Sequence, residues 1–181
     1  VILFLISHPD SITTDFSSLK FVVYGASPIA ESTIVKAREI MKCDLYQVYG
    51  LTETTGAITI MMPDDHDPER GKLRSCGKAL KGVELKVIDD DGNDLESGEI
   101  GEVISKSKLN MKGYWNKPDA TKESIVNGWF YSGDAGFFDE EGFLFIHDRV
   151  KDMIVSGGEN IYPAEVENAL MSHDEILDAA V

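Results

Sequence analysis

The stretch YQVYGLTETTG, residues 46–56, decides how this chain is to be folded. An apolar strand there runs into a polar segment carrying hydroxyls, a carboxylate and an aromatic ring at fixed offsets. Leu45 and Val48 suit a buried strand, Gly50 lets the chain turn at its carboxyl end, and that end is where open α/β sheets place ligands. In such a turn the face of Tyr49 suits a purine, the Thr52 hydroxyl a phosphate oxygen, and the Glu53 carboxylate a hard metal ion such as magnesium. An ordinary strand end with polar loop residues has the same spelling, so the rest of the chain must separate the two.

Upstream, FVVY at 21–24 is a short apolar run between Lys20 and Gly25, the pattern of a buried strand. After GASPIAEST, residues 25–33, Ile34, Ala37 and Met41 recur at helical spacing with Lys36, Arg38 and Glu39 between them, predicting an amphipathic helix over the sheet. Strand, helix, strand makes a parallel unit whose two turns share one edge. The turn at 25–28 would then lie beside that at 49–53 with a purine between them. Gly25, Ala26 and Ser27 are small enough to let backbone approach its edge, although small residues are also ordinary tight-turn chemistry.

Beyond a polar loop at 63–75 the pattern changes to short strands. Val83, Leu85 and Val87 alternate with Glu84 and Lys86, and Asp91-Gly92 marks a hairpin. Runs at 100–104, 128–131 and 143–146 continue it, with Glu141-Gly142 as another turn, so 72–147 read as a small antiparallel barrel or curled sheet. YSGDAG, residues 131–136, sets Asp134 in a Gly-flanked turn, where it can accept from both hydroxyls of a ribose or simply cap the turn. DRVKD, 148–152, supplies Arg149 for ribose or phosphate, or for a surface ion pair, at a joint between domains. Then Ile154-Val155 reads as a strand, Gly157-Gly158 as a turn, and Pro163 as the first residue of a helix with Glu165 in its first turn and Val166, Ala169 and Leu170 along one side. The expected fold is α/β: the end of a parallel βαβ layer at 1–71, a small antiparallel β-barrel-like subdomain at 72–148, and the start of a small α+β domain at 149–181.

Composition bounds the function. The 181 residues are 43% hydrophobic, enough for a sizeable core. Lys and Arg number 17 against 32 Asp and Glu, a net charge of −15 that argues against nucleic-acid and anionic-membrane partners. A phosphate ligand would need backbone amides, magnesium or single cations such as Arg149. Cys43 and Cys76 have neither disulfide-framework nor zinc spacing, which fits reduced thiols in the cytoplasm. No apolar run reaches the ~18 residues of a membrane span, and no secretory signal stands at the start. The chain opens on VILFLIS without a Met and stops in LDAAV, so both ends read as cut from a longer polypeptide. The edges of a truncated sheet would favour self-association.

The ordered set GASP (25–28), YGLTETTG (49–56), SCGKALKG (75–82), KGYWNKPDAT (112–121), GWFYSGDAG (128–136) and DRVKDMIVSGGENIYPAEVE (148–167) resembles the adenylate-forming superfamily, and within it most of all the acyl-CoA synthetases. The resemblance spans essentially the whole chain. It implies an enzyme that joins a carboxylic acid, here a fatty acid, to AMP at the expense of ATP and then passes the acyl group to CoA. Carried over by residue, it implies that Gly25, Ala26 and Ser27 border adenine and the acyl pocket, Tyr49 and Gly50 line the adenine, Thr52 binds phosphate and Glu53 holds magnesium. Thr52 and Glu53 are the catalytic pair. Asp134 and Arg149 bind ribose, Ile146 packs near the nucleotide, Lys151 is the interdomain hinge, and Ser156, Gly157 and Gly158 approach the pantetheine arm of CoA. The family's phosphate loop would lie upstream of residue 1 and its catalytic lysine downstream of residue 181, so the 181 residues alone are expected to be inactive. Val155 stands where several relatives carry lysine, and Ser27 where a small apolar residue or proline is common. The alternatives are a peptide-synthetase-type adenylation domain, which usually has proline at the place of Leu51, and a non-catalytic nucleotide-binding segment.

Overall fold

The computed structural model describes residues 1–181 apart from 28, 157, 158, 172, 174, 177 and 178, and the backbone alone at 152, 155, 159, 160, 164 and 168. VILFLIS forms a short helix, α1 (Ile2–Ser7). The βαβ unit follows as expected: β1 (Phe21–Gly25), α2 (Glu31–Met41) and β2 (Asp44–Leu51), with β1 and β2 parallel and Gly25 level with Val48. The helical spacing has the expected consequence. Ile34, Ala37 and Met41 are all buried and pack with Leu45 of β2 and Ile6 of α1; burying each large aliphatic side chain stabilises by about 1.5–3 kcal/mol. Lys42 ends α2 in the left-handed conformation.

Two strands in the first sheet were not expected. AITIM, a mostly apolar run with three β-branched residues, forms β3 (Gly56–Met61), antiparallel to β2, and the two-residue β4 (Lys78–Ala79) pairs with β3. The sheet order is therefore β1-β2-β3-β4, with β2 paired in parallel on one side and antiparallel on the other. Gly50 does not turn the chain. It remains in β2, where a Cβ would collide with the Gly56 carbonyl, and the reversal is made by a 3-10 turn at Thr52–Thr54. The fully buried Thr54 holds that turn: its hydroxyl accepts from the Leu51 N–H at 2.9 Å and donates to the Gly56 carbonyl at 2.7 Å.

The second sheet is antiparallel. It comprises β5 (Glu84–Ile88), β6 (Gly101–Lys106), β7 (Ile125–Val126), β8 (Trp129–Phe138) and β9 (Leu144–Arg149); β6 lies between β5 and β8, and β7 and β9 share the far side of β8. A helix, α3 (Pro118–Ser124), precedes β7. Val87, Val103 and Leu144 are the buried centre of this sheet. Asp134 lies within β8, not in a turn: Gly133 takes φ +71° inside the strand, and the Gly-flanked spelling marks an interrupted ladder. A 3-10 turn at Val150–Asp152 leads to the hairpin β10 (Ile154–Ser156) and β11 (Glu159–Ile161), then to α4 (Pro163–Met171). On α4, of the three residues expected along one side, Val166 is half-buried and Ala169 and Leu170 are exposed. The expected Gly157-Gly158 turn lies outside the described residues.

Candidate functional site

The carboxyl ends of β1 and β2 open onto a cavity of about 830 Å3. Gly25, Ala26, Ser27, Tyr49 and Gly50 line it from the first sheet, and Asp134, Ile146 and Arg149 from the second. These eight residues, separated by up to 124 positions, are brought together by the two sheets meeting at this edge. Gly25 is required where it stands, because a Cβ there would lie inside the Val48 carbonyl. Ala26 adopts φ +68°, a left-handed conformation that a non-glycine residue keeps only when its surroundings impose it.

Polar contacts tie the two sheets together. The Tyr49 hydroxyl donates to Asp134 Oδ2 at 2.5 Å, and Arg149 Nε meets Asp134 Oδ1 at 2.9 Å. Burial pushes the Asp134 pKa up, against the opposing pull of the Tyr49 bond and the Arg149 charge. Burial, then the Asp134 charge, push the Tyr49 phenol up as well, so it stays a hydrogen-bond donor. Arg149 also donates to the Ser132 carbonyl at 3.1 Å. Its guanidinium therefore sits between this cavity and a smaller one of about 330 Å3, which it lines with Glu53, Glu102, Tyr114 and Glu123.

Glu53 thus faces the smaller cavity, where the Tyr114 hydroxyl donates to its Oε1 at 2.8 Å. Among the described residues no three His, Cys, Asp or Glu side chains are grouped to hold a metal. A divalent ion at Glu53 would therefore complete its shell with phosphate oxygens and water, the arrangement magnesium favours, and the donor set fits that ion. Thr52 is exposed at the start of its turn and lines neither cavity. Lys151 is exposed in the turn at Val150–Asp152 and Ser156 is exposed on β10; Gly157 and Gly158 lie outside the described residues.

Several lining residues stand outside the sequence-predicted set. Along β2 the whole run from Gln47 to Leu51 lines the cavity, so strand parity could not have picked out Gln47. Nor could it pick out His147, because Ile146, His147, Asp148 and Arg149 all line the cavity, which regular alternation forbids. The β8–β9 ladder slips there: Ala135 pairs with Asp148 and Gly136 with Ile146, leaving His147 as the extra residue of a bulge. Arg74, Cys76 and Glu165 arrive from a loop and from α4. Burial pushes the Cys76 thiol up to about 12, so it lines the wall as a neutral group.

With a volume of about 830 Å3, walled by two sheet ends, and holding a buried carboxylate between a phenol and a guanidinium, this cavity is the candidate site of the α/β fold. Residues 2–115 match the family described as AMP-binding enzyme, and the chain belongs to that family. It is 41% identical over 177 residues to the fatty acid–[acyl-carrier-protein] ligase ScoC of Streptomyces coeruleorubidus, a match covering 98% of this chain and 34% of ScoC. The solved structure of the amide bond synthetase McbA from Marinactinospora thermotolerans superposes with a TM-score of 0.92 at 40% identity, covering 99% of this chain and 37% of that one. O-succinylbenzoate coenzyme A synthetase (MenE) from Bacillus subtilis, solved in complex with ATP and magnesium ion, gives 0.88 at 38% identity, covering 99% and 36%. The chain thus spans about a third of the length of the relatives it matches. No helix among the described residues is long and apolar enough to cross a membrane.

Proposed function

We propose that this chain is the nucleotide-binding third of an ATP-dependent, AMP-forming acyl-CoA synthetase acting on a carboxylic acid, a fatty acid in the first instance. The observation that carries this reading is the convergence of Gly25, Ala26, Ser27, Tyr49, Gly50, Asp134, Ile146 and Arg149 on one cavity. Adenine would lie against the Tyr49 ring and the small residues of the 25–27 turn. Asp134, pinned between Tyr49 and Arg149, would keep its remaining lone pairs for the ribose diol. Arg149 stands between the cavities, between the ribose and the phosphates, and the exposed Thr52 would bind phosphate from the turn. Glu53 would hold magnesium, which would neutralise charge on the phosphates when bound. The carboxylate oxygen attacks the α-phosphorus and pyrophosphate leaves; the CoA thiol then attacks the acyl carbonyl, giving up its proton, and AMP leaves. Positioning and charge neutralisation are what such steps need from a protein. The units 1–71, 72–148 and 149–181 would move about Lys151, with Ser156, Gly157 and Gly158 near the pantetheine arm. The cytoplasm, where ATP and CoA are supplied, is the expected location.

A second acceptor is favoured by one observation, the 41% identity to a carrier-protein ligase. The decisive measurement uses the intact polypeptide that carries this chain. Glu53→Gln should depress ATP–pyrophosphate exchange with a fatty acid at saturating ATP, and Asp134→Ala should raise the KM for ATP by about tenfold or more. Normal exchange in both variants at limiting ATP would overturn the assignment. Product analysis with CoA and with a phosphopantetheinylated carrier protein then separates the two acceptors. Residues 1–181 alone should give no exchange.

A further inference from the structure

Glu102 belongs to none of the roles above, yet it sits beneath the segment that presents Asp134. The β6–β8 ladder is broken there: Glu102 pairs with Ala135 and Ile104 with Tyr131, so the single residue Val103 faces Ser132, Gly133 and Asp134. Such an excess of residues leaves backbone groups without ladder partners. Four of them are met by side chains. Glu102 Oε1 accepts from the Gly133 N–H at 2.9 Å, and Ser132 Oγ accepts from the Asp134 N–H at 3.0 Å while donating to the Val103 carbonyl at 2.6 Å. Arg149 takes the Ser132 carbonyl. Gly133 stands at φ +71°; the hydrogen bond from its N–H to Glu102 fixes the Ser132–Gly133 peptide plane, and the bond from the Asp134 N–H to Ser132 Oγ fixes the next plane, immediately before Asp134.

We propose that Glu102 is a positioning residue for nucleotide binding: its carboxylate clamps the Gly133 amide and so holds the β8 bulge in the one shape that aims Asp134 at the ribose. This inference rests on the reading of Asp134 as the ribose ligand. Glu102 lines the smaller cavity and not the one that holds the proposed ribose site, and its Oε1 is taken by the Gly133 amide. A carboxylate suits the task because it offers only acceptors to the amide. Glutamine also carries an oxygen at the same reach, so it can substitute, whereas alanine and serine cannot span the gap.

The test measures KM for ATP in ATP–pyrophosphate exchange, and the Ki of 2′,3′-dideoxy-ATP, for the intact polypeptide and its Glu102→Ala, Glu102→Gln and Asp134→Ala variants. Glu102→Ala should raise the ATP KM about tenfold, the scale of losing one hydrogen bond to a charged group, with kcat within about twofold. Glu102→Gln should restore KM to within about threefold. Because dideoxy-ATP lacks the diol that Asp134 would read, its Ki should be nearly the same in all four proteins. If Asp134→Ala raises the ATP KM and Glu102→Ala does not, or if the Glu102→Ala loss is equally large for dideoxy-ATP, the positioning role is wrong. If Asp134→Ala itself leaves the ATP KM unchanged, the ribose assignment fails and this inference falls with it. Should Glu102→Ala not fold, Glu102→Ser, polar but too short to reach the amide, replaces it in the same comparison.

Discussion

Asp134 is nearly enclosed, at 6% exposure, and depends on two neighbours to remain charged there. Removing one has a direction that can be worked out. In Tyr49→Phe the ring remains but Oδ2 loses its donor, so a buried carboxylate is left partly unpaired and stability should fall by about 1–3 kcal/mol in denaturant titration. The Tyr49 bond opposes the burial that already raises the Asp134 pKa, so its loss raises that pKa further. Nucleotide affinity should therefore weaken on acidification at a higher pH in Tyr49→Phe than in the parent, as KM against pH would display; superimposable profiles would refute the coupling. Gly25→Ala tests a different limit: its Cβ has no room before the Val48 carbonyl, and the variant should be destabilised at the high end of single substitutions, about 3 kcal/mol or more. Of these residues, Tyr49, Asp134 and Arg149 were singled out by the motifs YGLTETTG, YSGDAG and DRVKD, although an acid beside glycines is also ordinary turn chemistry and Asp134 proved to lie in a strand. Glu102 was not, since nothing in IGEVIS distinguishes a carboxylate that clamps an amide from one facing water.

Among the elements, the loop before β4 is fastened to the β8–β9 turn by charge. Lys72 Nζ meets Asp139 Oδ2 at 2.6 Å and Glu141 Oε1 at 2.8 Å, and Arg70 joins Glu141 to Asp65. Although burial would raise it, the Lys72 ammonium and the Phe143 and Glu141 amides hold the Asp139 carboxyl below its ordinary value of 3.8. Asp139 and Glu141 in turn raise Lys72 above 10.5. A depressed carboxylate stabilises above its unfolded pKa and ceases to as the pH falls through the folded value, whereas a raised lysine stabilises below 10.5 and ceases to as the pH climbs past it. The stability difference between the parent and Lys72→Met should accordingly be flat from about pH 5 to 9 and shrink below about pH 4 and above about pH 10. A difference independent of pH throughout would mean that Lys72 acts by packing its stem on Phe143, over whose ring its ammonium lies at 5.0 Å. The βαβ unit was legible at this scale because a buried run and a 3.6-residue period each have one structural solution. The bulges near Tyr49, Asp134 and His147 were not: they depend on which strand lies alongside, which a local pattern does not carry.

For the whole molecule, β1 is an edge strand whose Phe21 and Val23 remain more than half exposed, and α1 exposes Leu3, Phe4 and Leu5. The 181-residue chain should therefore self-associate, and a strictly monomeric species in light scattering across micromolar concentrations would contradict this. Lys151 joins β9 to the β10–β11 hairpin through a single 3-10 turn. If that turn is the joint between two working arrangements, Lys151→Pro in the intact polypeptide should leave acyl-adenylate formation largely intact and suppress transfer to the thiol, while Lys151→Ala should be mild in both. Equal loss of both half-reactions, with a lowered Tm, would mark a rigid loop instead. The Thr54-held reversal between β2 and β3 bears on the order in which such a chain folds. Closing β2 on β3 needs only residues 52–55 to loop, a microsecond event, whereas β1 can pair with β2 only after the intervening α2 crossover is in place. The β2–β3 hairpin, residues 44–61, would then form early in refolding, with the remainder of the sheet assembling on it, so Thr54→Val should slow folding more than it speeds unfolding.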